Sequence, residues 1–143
     1  MALSPKSERL RSVLETVGDD PISERMIKWL HGASIEVVPL GRQAVEDLRT
    51  QFDPGTDIFV NFLPKGAASD SVETAKALKR AGFNPIPHVA ARPLRGRAEL
   101  DEFVARLVDE AEIDRVLAIA GDTQTPRGEF ASTIDLLQSG VFD

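Results

Sequence analysis

The chain has 143 residues, 42% hydrophobic and 28% charged, ordinary proportions for one globular domain with a real core. Its net charge of −6 and sequence pI near 5.0 argue against a general nucleic-acid binder, which would present a basic face. The absence of cysteine excludes disulfides, thiolate metal sites and cysteine nucleophiles. No apolar run approaches the ~20 residues needed to cross a bilayer, and MALSPKSERL lacks the apolar centre of a signal peptide, so a cytoplasmic domain with no membrane contact is expected.

Two short helices are expected first. Ser4-Pro5 reads as an N-cap with proline at the first helical position, followed by Leu10, Val13, Leu14 and Val17 on one face. Asp20 opens a second helix carrying Ile22, Met26, Trp29 and Leu30, and Gly32 ends it. Residues 1–32 would thus form a helical cover, and residues 33–143 the body of a single α/β domain.

Ser34 to Val38 reads as the first strand, with Glu36 a carboxylate in an apolar run. A helix with Ala44, Val45 and Leu48 inside follows, then the turn Asp53-Pro54-Gly55. Asp57 to Leu63 reads as the second strand, with Asn61 its one interior polar residue. Pro64-Lys65-Gly66 leads to a helix with capping-box character at Asp70 and Glu73, a stripe of Val72, Ala75, Leu78 and Ala81, and a stop at Gly82.

Phe83 to Val89 is expected as the third strand despite Pro85 and Pro87, which must sit where no backbone N–H is needed. The next helix has the clearest periodicity, with Leu100, Phe103, Val104, Leu107, Val108 and Ala111 on one face. Val116 to Ala120 suits a strand buried on both faces; Gly121-Asp122 ends it, and a helix from about Phe130 to Gln138 holds Ile134 and Leu137 inside. Strand and helix alternate four times with short connections, the pattern of a parallel sheet of βαβ units.

In a parallel sheet the C-terminal strand ends share one rim, so Glu36, Asn61, His88 and Asp122 can surround one site. Each residue also has a plain structural role open to it. Glu36 is either an exposed or arginine-paired residue, or a carboxyl in a low-dielectric cavity that favours its neutral form for general-acid work. Asn61 and His88 suit structural hydrogen bonding as well as a site, and Asp122 suits a turn cap as well as a ligand contact. With two histidines a metal centre has little support. Lys65, Arg92, Arg95 and Arg97 form either a solvated set of loops or a basic rim for an anionic ligand. Gly121 and Gly128 make no dinucleotide or P-loop pattern.

SIEVVP around Glu36, FVNFLP around Asn61, PHVAAR with His88 and AGDTQTPRGEFAS around Asp122 together resemble the methylenetetrahydrofolate reductase family, flavin-dependent (β/α)8 barrels. The resemblance implies that Glu36 and Asp122 are catalytic. Glu36 would protonate the bridging nitrogen of the folate, and Asp122 would tune the flavin and help bind folate. It implies cofactor contacts at Asn61, His88, Ile119, Ala120, Gly121, Asp122, Phe130, Ala131 and Ser132. FAD would be the cofactor, NADH or NADPH the reductant and 5,10-methylenetetrahydrofolate the substrate, reduced to 5-methyltetrahydrofolate. Ala120 stands where the family commonly has a basic flavin contact.

A whole barrel of this type runs to about 250 residues. The resemblance therefore implies a parallel (β/α)4 half barrel preceded by two short helices. Such a half has open edges and an apolar inner face, so a homo-oligomer or a partner chain that completes the barrel is expected. The other expected function is a non-catalytic or truncated folate- or flavin-binding subunit.

Overall fold

The computed structural model describes residues 25–26, 30, 32–63 and 68–142. The two helices expected before the first strand lie largely outside the described residues, as do His31 and the Pro64-Lys65-Gly66 loop. From residue 32 onward, four strands alternate with four helices among the described residues. They are β1 (Ile35–Val37), α1 (Arg42–Gln51), β2 (Asp57–Val60), α2 (Ala68–Arg80), β3 (Asn84–Ala90), α3 (Arg97–Ala111), β4 (Leu117–Ile119) and α4 (Thr133–Gln138). The strands form a parallel sheet in the order β1-β2-β3-β4, so the alternating α/β reading of the sequence holds.

Side-chain alternation divides the strands between two faces. Ile35, Ile58 and Pro85 are level with one another, as are Val37, Val60 and Pro87, and these residues share one face. Ile58 and Val60 are fully buried there, in a cluster with Val45 of α1 and Leu78 of α2. Farther along the same face, Val89 joins Val72, Ala75, Leu100, Phe103 and Leu107 from α2 and α3. The Phe62 and Phe103 rings meet edge-on with centroids 5.6 Å apart. Each fully buried large aliphatic side chain contributes about 1.5–3 kcal/mol relative to its exposed state, which anchors the helices to this face.

The two prolines of β3 explain how the sheet is staggered. Asn84 donates its N–H to Thr56 O on the β2 side, whereas Ala91 donates to Ile119 O on the β4 side. Hydrogen bonding alternates sides along a strand, so odd-numbered positions of β3 point their N toward β4. Pairing with β4 begins only at His88, opposite Leu117. Pro85 and Pro87 therefore precede that pairing, at positions where no N–H is called for, as the sequence required.

Three sequence expectations are corrected. β4 is not buried on both faces: Leu117 is 38% exposed, and Ala118 and Ile119 are half-buried, because β4 is the outer strand of the described sheet. In α4 the buried residue is Leu136, while Ile134 and Leu137 are exposed, because a helix of six residues presents only one side chain squarely to the core. Val108 is also exposed. It lines an open groove of about 480 Å³ bounded by α3, β4 and residues 137–142.

Candidate functional site

The second face of the sheet carries the polar residues singled out in the sequence. Glu36 is level with Phe59 and Ile86, and His88 with Leu117. Asn61 follows β2 directly, where its N–H donates to Val37 O at 2.8 Å and continues the ladder beyond the strand. Counting in steps of two from Phe59 and Ile86 puts Asn61 and His88 on this same face, one step nearer the C-terminal rim. The residues thus climb toward the rim from β1 to β3.

Three of the four predicted residues are brought together. Asn61 Nδ2 donates to Glu36 Oε1 at 3.1 Å. His88 is only 5% exposed, and its ring lies edge-on to Phe59 with centroids 6.1 Å apart. Among the described residues neither His88 ring nitrogen has a hydrogen-bond partner. Burial holds the imidazole below the ordinary histidine range, and the nearby negative charge of Glu36 opposes that shift. A buried imidazole without a partner is costly, and a ligand with a matching donor or acceptor would relieve it.

Glu36 itself is exposed rather than enclosed. It stands on the outer strand β1, on the face away from the helix-packed clusters, so the low-dielectric cavity considered for it is not formed by the described residues alone. Asp122 is exposed in the loop beyond β4. Three strand spacings of about 4.8 Å separate β1 from β4, so a ligand touching both carboxylates must extend over roughly 14 Å.

The loop carrying Asp122 is tightly held. Gly121 has a left-handed φ of 86°, and a Cβ there would lie 3.1 Å from Pro93 and 3.2 Å from Ala90. A Cβ on Gly128 would fall 2.1 Å from the carbonyl oxygen of Arg95, so only glycine admits this crossing. Glu129 Oε1 accepts from Arg97 N at 2.7 Å, satisfying a first-turn N–H of α3, whose N-cap Gly96 has no side chain to do so. The β3–α3 and β4–α4 loops are in this way one interlocked unit.

The remaining sequence-predicted residues have identifiable structural partners in that unit. Phe130 is buried in the core beside Leu136. Ser132 caps α4 in a capping box with Asp135, which also accepts from Ala131 N at 2.8 Å. Those backbone hydrogen bonds hold the Asp135 carboxyl below the usual carboxylate range. Ile119 and Ala120 offer their carbonyls to Ala91 N and Arg92 N.

The possible basic rim is changed most. Arg92 donates to backbone carbonyls of the Asp122 loop. Arg97 pairs with Asp101 at 2.6 Å and donates to Ser139 O, while Arg95 lies 3.9 Å from Glu99. Sequence reasoning missed Phe59 as the neighbour of His88, although its two-residue spacing from Asn61 was the available signal. It also missed Glu129 as a cap, for which an acidic residue in a loop gives no distinctive signal.

No protein-family model matches the chain. Among the described residues there is no group of three or more metal-ligating side chains. Nor is any helix among them long and apolar enough to cross a membrane.

Proposed function

We propose that the open face and its C-terminal rim form part of a methylenetetrahydrofolate reductase-like site, reducing 5,10-methylenetetrahydrofolate to 5-methyltetrahydrofolate. The observation that carries this reading is the buried, unpartnered His88 beside the hydrogen-bonded Asn61–Glu36 pair. A site left with unmet hydrogen-bonding capacity on an otherwise apolar sheet suits a flat heteroaromatic ligand. The sequence resemblance around Glu36, Asn61, His88 and Asp122 supplies the identity of that ligand.

In this reading Asn61 orients the Glu36 carboxyl through Oε1, leaving Oε2 to deliver a proton to the folate nitrogen. Asp122 contacts the folate from the far side of the rim. The residues fit a flavin in part. His88 suits the ring system, whereas the close approach at Gly121 is taken up by Pro93 and Ala90 of the chain itself. Arg92 and Arg97 do not suit the diphosphate, because both guanidinium groups are engaged within the chain. A flavin bound here would carry hydride from NADH or NADPH to the folate.

The parallel strands in sequential order, with their helix-packed core on one face, are compatible with half of a TIM-type barrel. In the described sheet β1 and β4 each pair on one side only, and further βα units from a second copy or a partner chain would close it and cover Glu36. Mass in solution tests that closure.

The catalytic assignment is tested by Glu36→Gln in protein incubated with FAD, where flavin absorbance retained by the purified protein checks the cofactor itself. Folate reduction should be abolished while flavin reduction by nicotinamide is retained. Full folate turnover in the variant would remove Glu36 from the mechanism. The same reductase assay without added FAD distinguishes a flavin-independent reaction.

A further inference from the structure

We infer that Arg92 is a positioning residue for Asp122, fixing the loop from which that carboxylate would meet a ligand. This rests on the reading of Asp122 as a folate contact. Arg92 makes hydrogen bonds at both ends and in the middle of the loop. Its N–H donates to Ala120 O at 3.0 Å, and its carbonyl accepts from Arg127 N at 2.8 Å. Its Nε donates to Ala131 O at 3.0 Å. One terminal nitrogen donates to Gly121 O at 3.4 Å and Thr123 O at 3.3 Å, the carbonyls on either side of Asp122.

The geometry of the group explains why arginine is suited to the position. A planar guanidinium presents several donors in a fixed fork and is charged at every physiological pH, so it can serve carbonyls on both sides at once. Lysine offers a single flexible ammonium and cannot reproduce that spread. The half-buried Arg92 is removed from the rim as an anion-binding group by these same contacts. Its effect on ligand binding would pass through the Asp122 loop. Displacing a carboxylate by about 1 Å can lower activity by roughly 10²-fold.

The test compares Arg92→Lys, Arg92→Met, Asp122→Asn and the Arg92→Met/Asp122→Asn pair, with 5-methyltetrahydrofolate as the titrated probe. Hydrogen exchange is followed separately without ligand. Both Arg92 variants should exchange faster in residues 121–131 and retain wild-type protection in β2 and α2. Each single substitution should weaken binding roughly tenfold or more, and the double variant should bind no worse than Asp122→Asn alone, because the two residues act as one unit.

Unchanged exchange in residues 121–131 would overturn the positioning role whether or not folate binds. Additive losses in the double variant would also overturn it, since Arg92 would then act independently of Asp122. Unchanged folate binding in Asp122→Asn, or no binding by the wild type, would instead overturn the reading of Asp122 and the ligand-directed part of this inference.

Discussion

The two faces of the sheet are built from alternate residues of the same strands, yet they do different work. One face holds Ile58, Val60 and Val89 at 0% exposure under helices that hold Leu78 and Leu100 equally dry. The other carries Glu36, Asn61 and His88, together with Val38 at 52% exposure and Leu117 at 38%. The first face supplies the burial that orders the chain. The second retains a buried imidazole, His88, with no hydrogen-bond partner among the described residues, an arrangement that a core avoids.

If that division is right, substitutions on the two faces should separate stability from binding. Leu78→Ala should have the largest effect on folding, a loss of about 2–5 kcal/mol in urea unfolding, because a fully buried side chain leaves a cavity between α2 and β2. Its folate affinity under native conditions should stay near that of the wild type. Gly128→Ala should follow at about 1–3 kcal/mol, since the new methyl must displace the Arg95 backbone. Thermal melting, with hydrogen exchange centred on the two interlocked loops, checks this local origin.

His88 sharpens the comparison through pH. Its folded-state affinity for protons is lowered by burial, so the unfolded chain binds a proton more readily. The associated stability is present above the unfolded value near 6.5 and is lost as pH falls through and below it toward the folded value. Urea unfolding of the wild type should therefore show declining stability from pH 7.5 to 5.5, and His88→Gln should flatten that decline.

The smallest effect is expected at the opposite strand ends. Arg115 bridges both oxygens of Asp57, which also accepts from Asn84, and these contacts hold Asp57 below the usual carboxylate range. That stability is present above the ordinary value of 3.8 and is lost as pH falls through the lowered one. The pair is exposed, so Arg115→Met should leave the neutral-pH melt nearly unchanged and show itself only in acid titration.

The division between faces was partly legible in the sequence. The apolar runs of DIFVNFL and FNPIPHV, bounded by turn residues, were enough to place β2 and β3, and Glu36, Asn61 and His88 stood out as polar residues within apolar runs. The Arg97–Asp101 pair, four residues apart on α3, is the local exception among the arginine contacts. Local patterns could not show that Arg92 would be engaged by carbonyls of residues 121–131, or Arg97 by Ser139 O, because those partners are set by how distant loops cross. Nor could they show that Leu136, rather than Ile134 or Leu137, would face the core. In so short a helix the periodicity is undersampled, and the cap at Ser132 decides the orientation.

The measurement closest to the central claim is a direct titration of the purified protein with 5-methyltetrahydrofolate, comparing wild type, Leu78→Ala, Glu36→Gln and Asp122→Asn. Binding by the wild type and by folded Leu78→Ala, weakened roughly tenfold or more by Asp122→Asn and altered by Glu36→Gln, is the predicted result. Absence of binding, or equal affinity in all four proteins, would contradict the assignment of the open face as the ligand site.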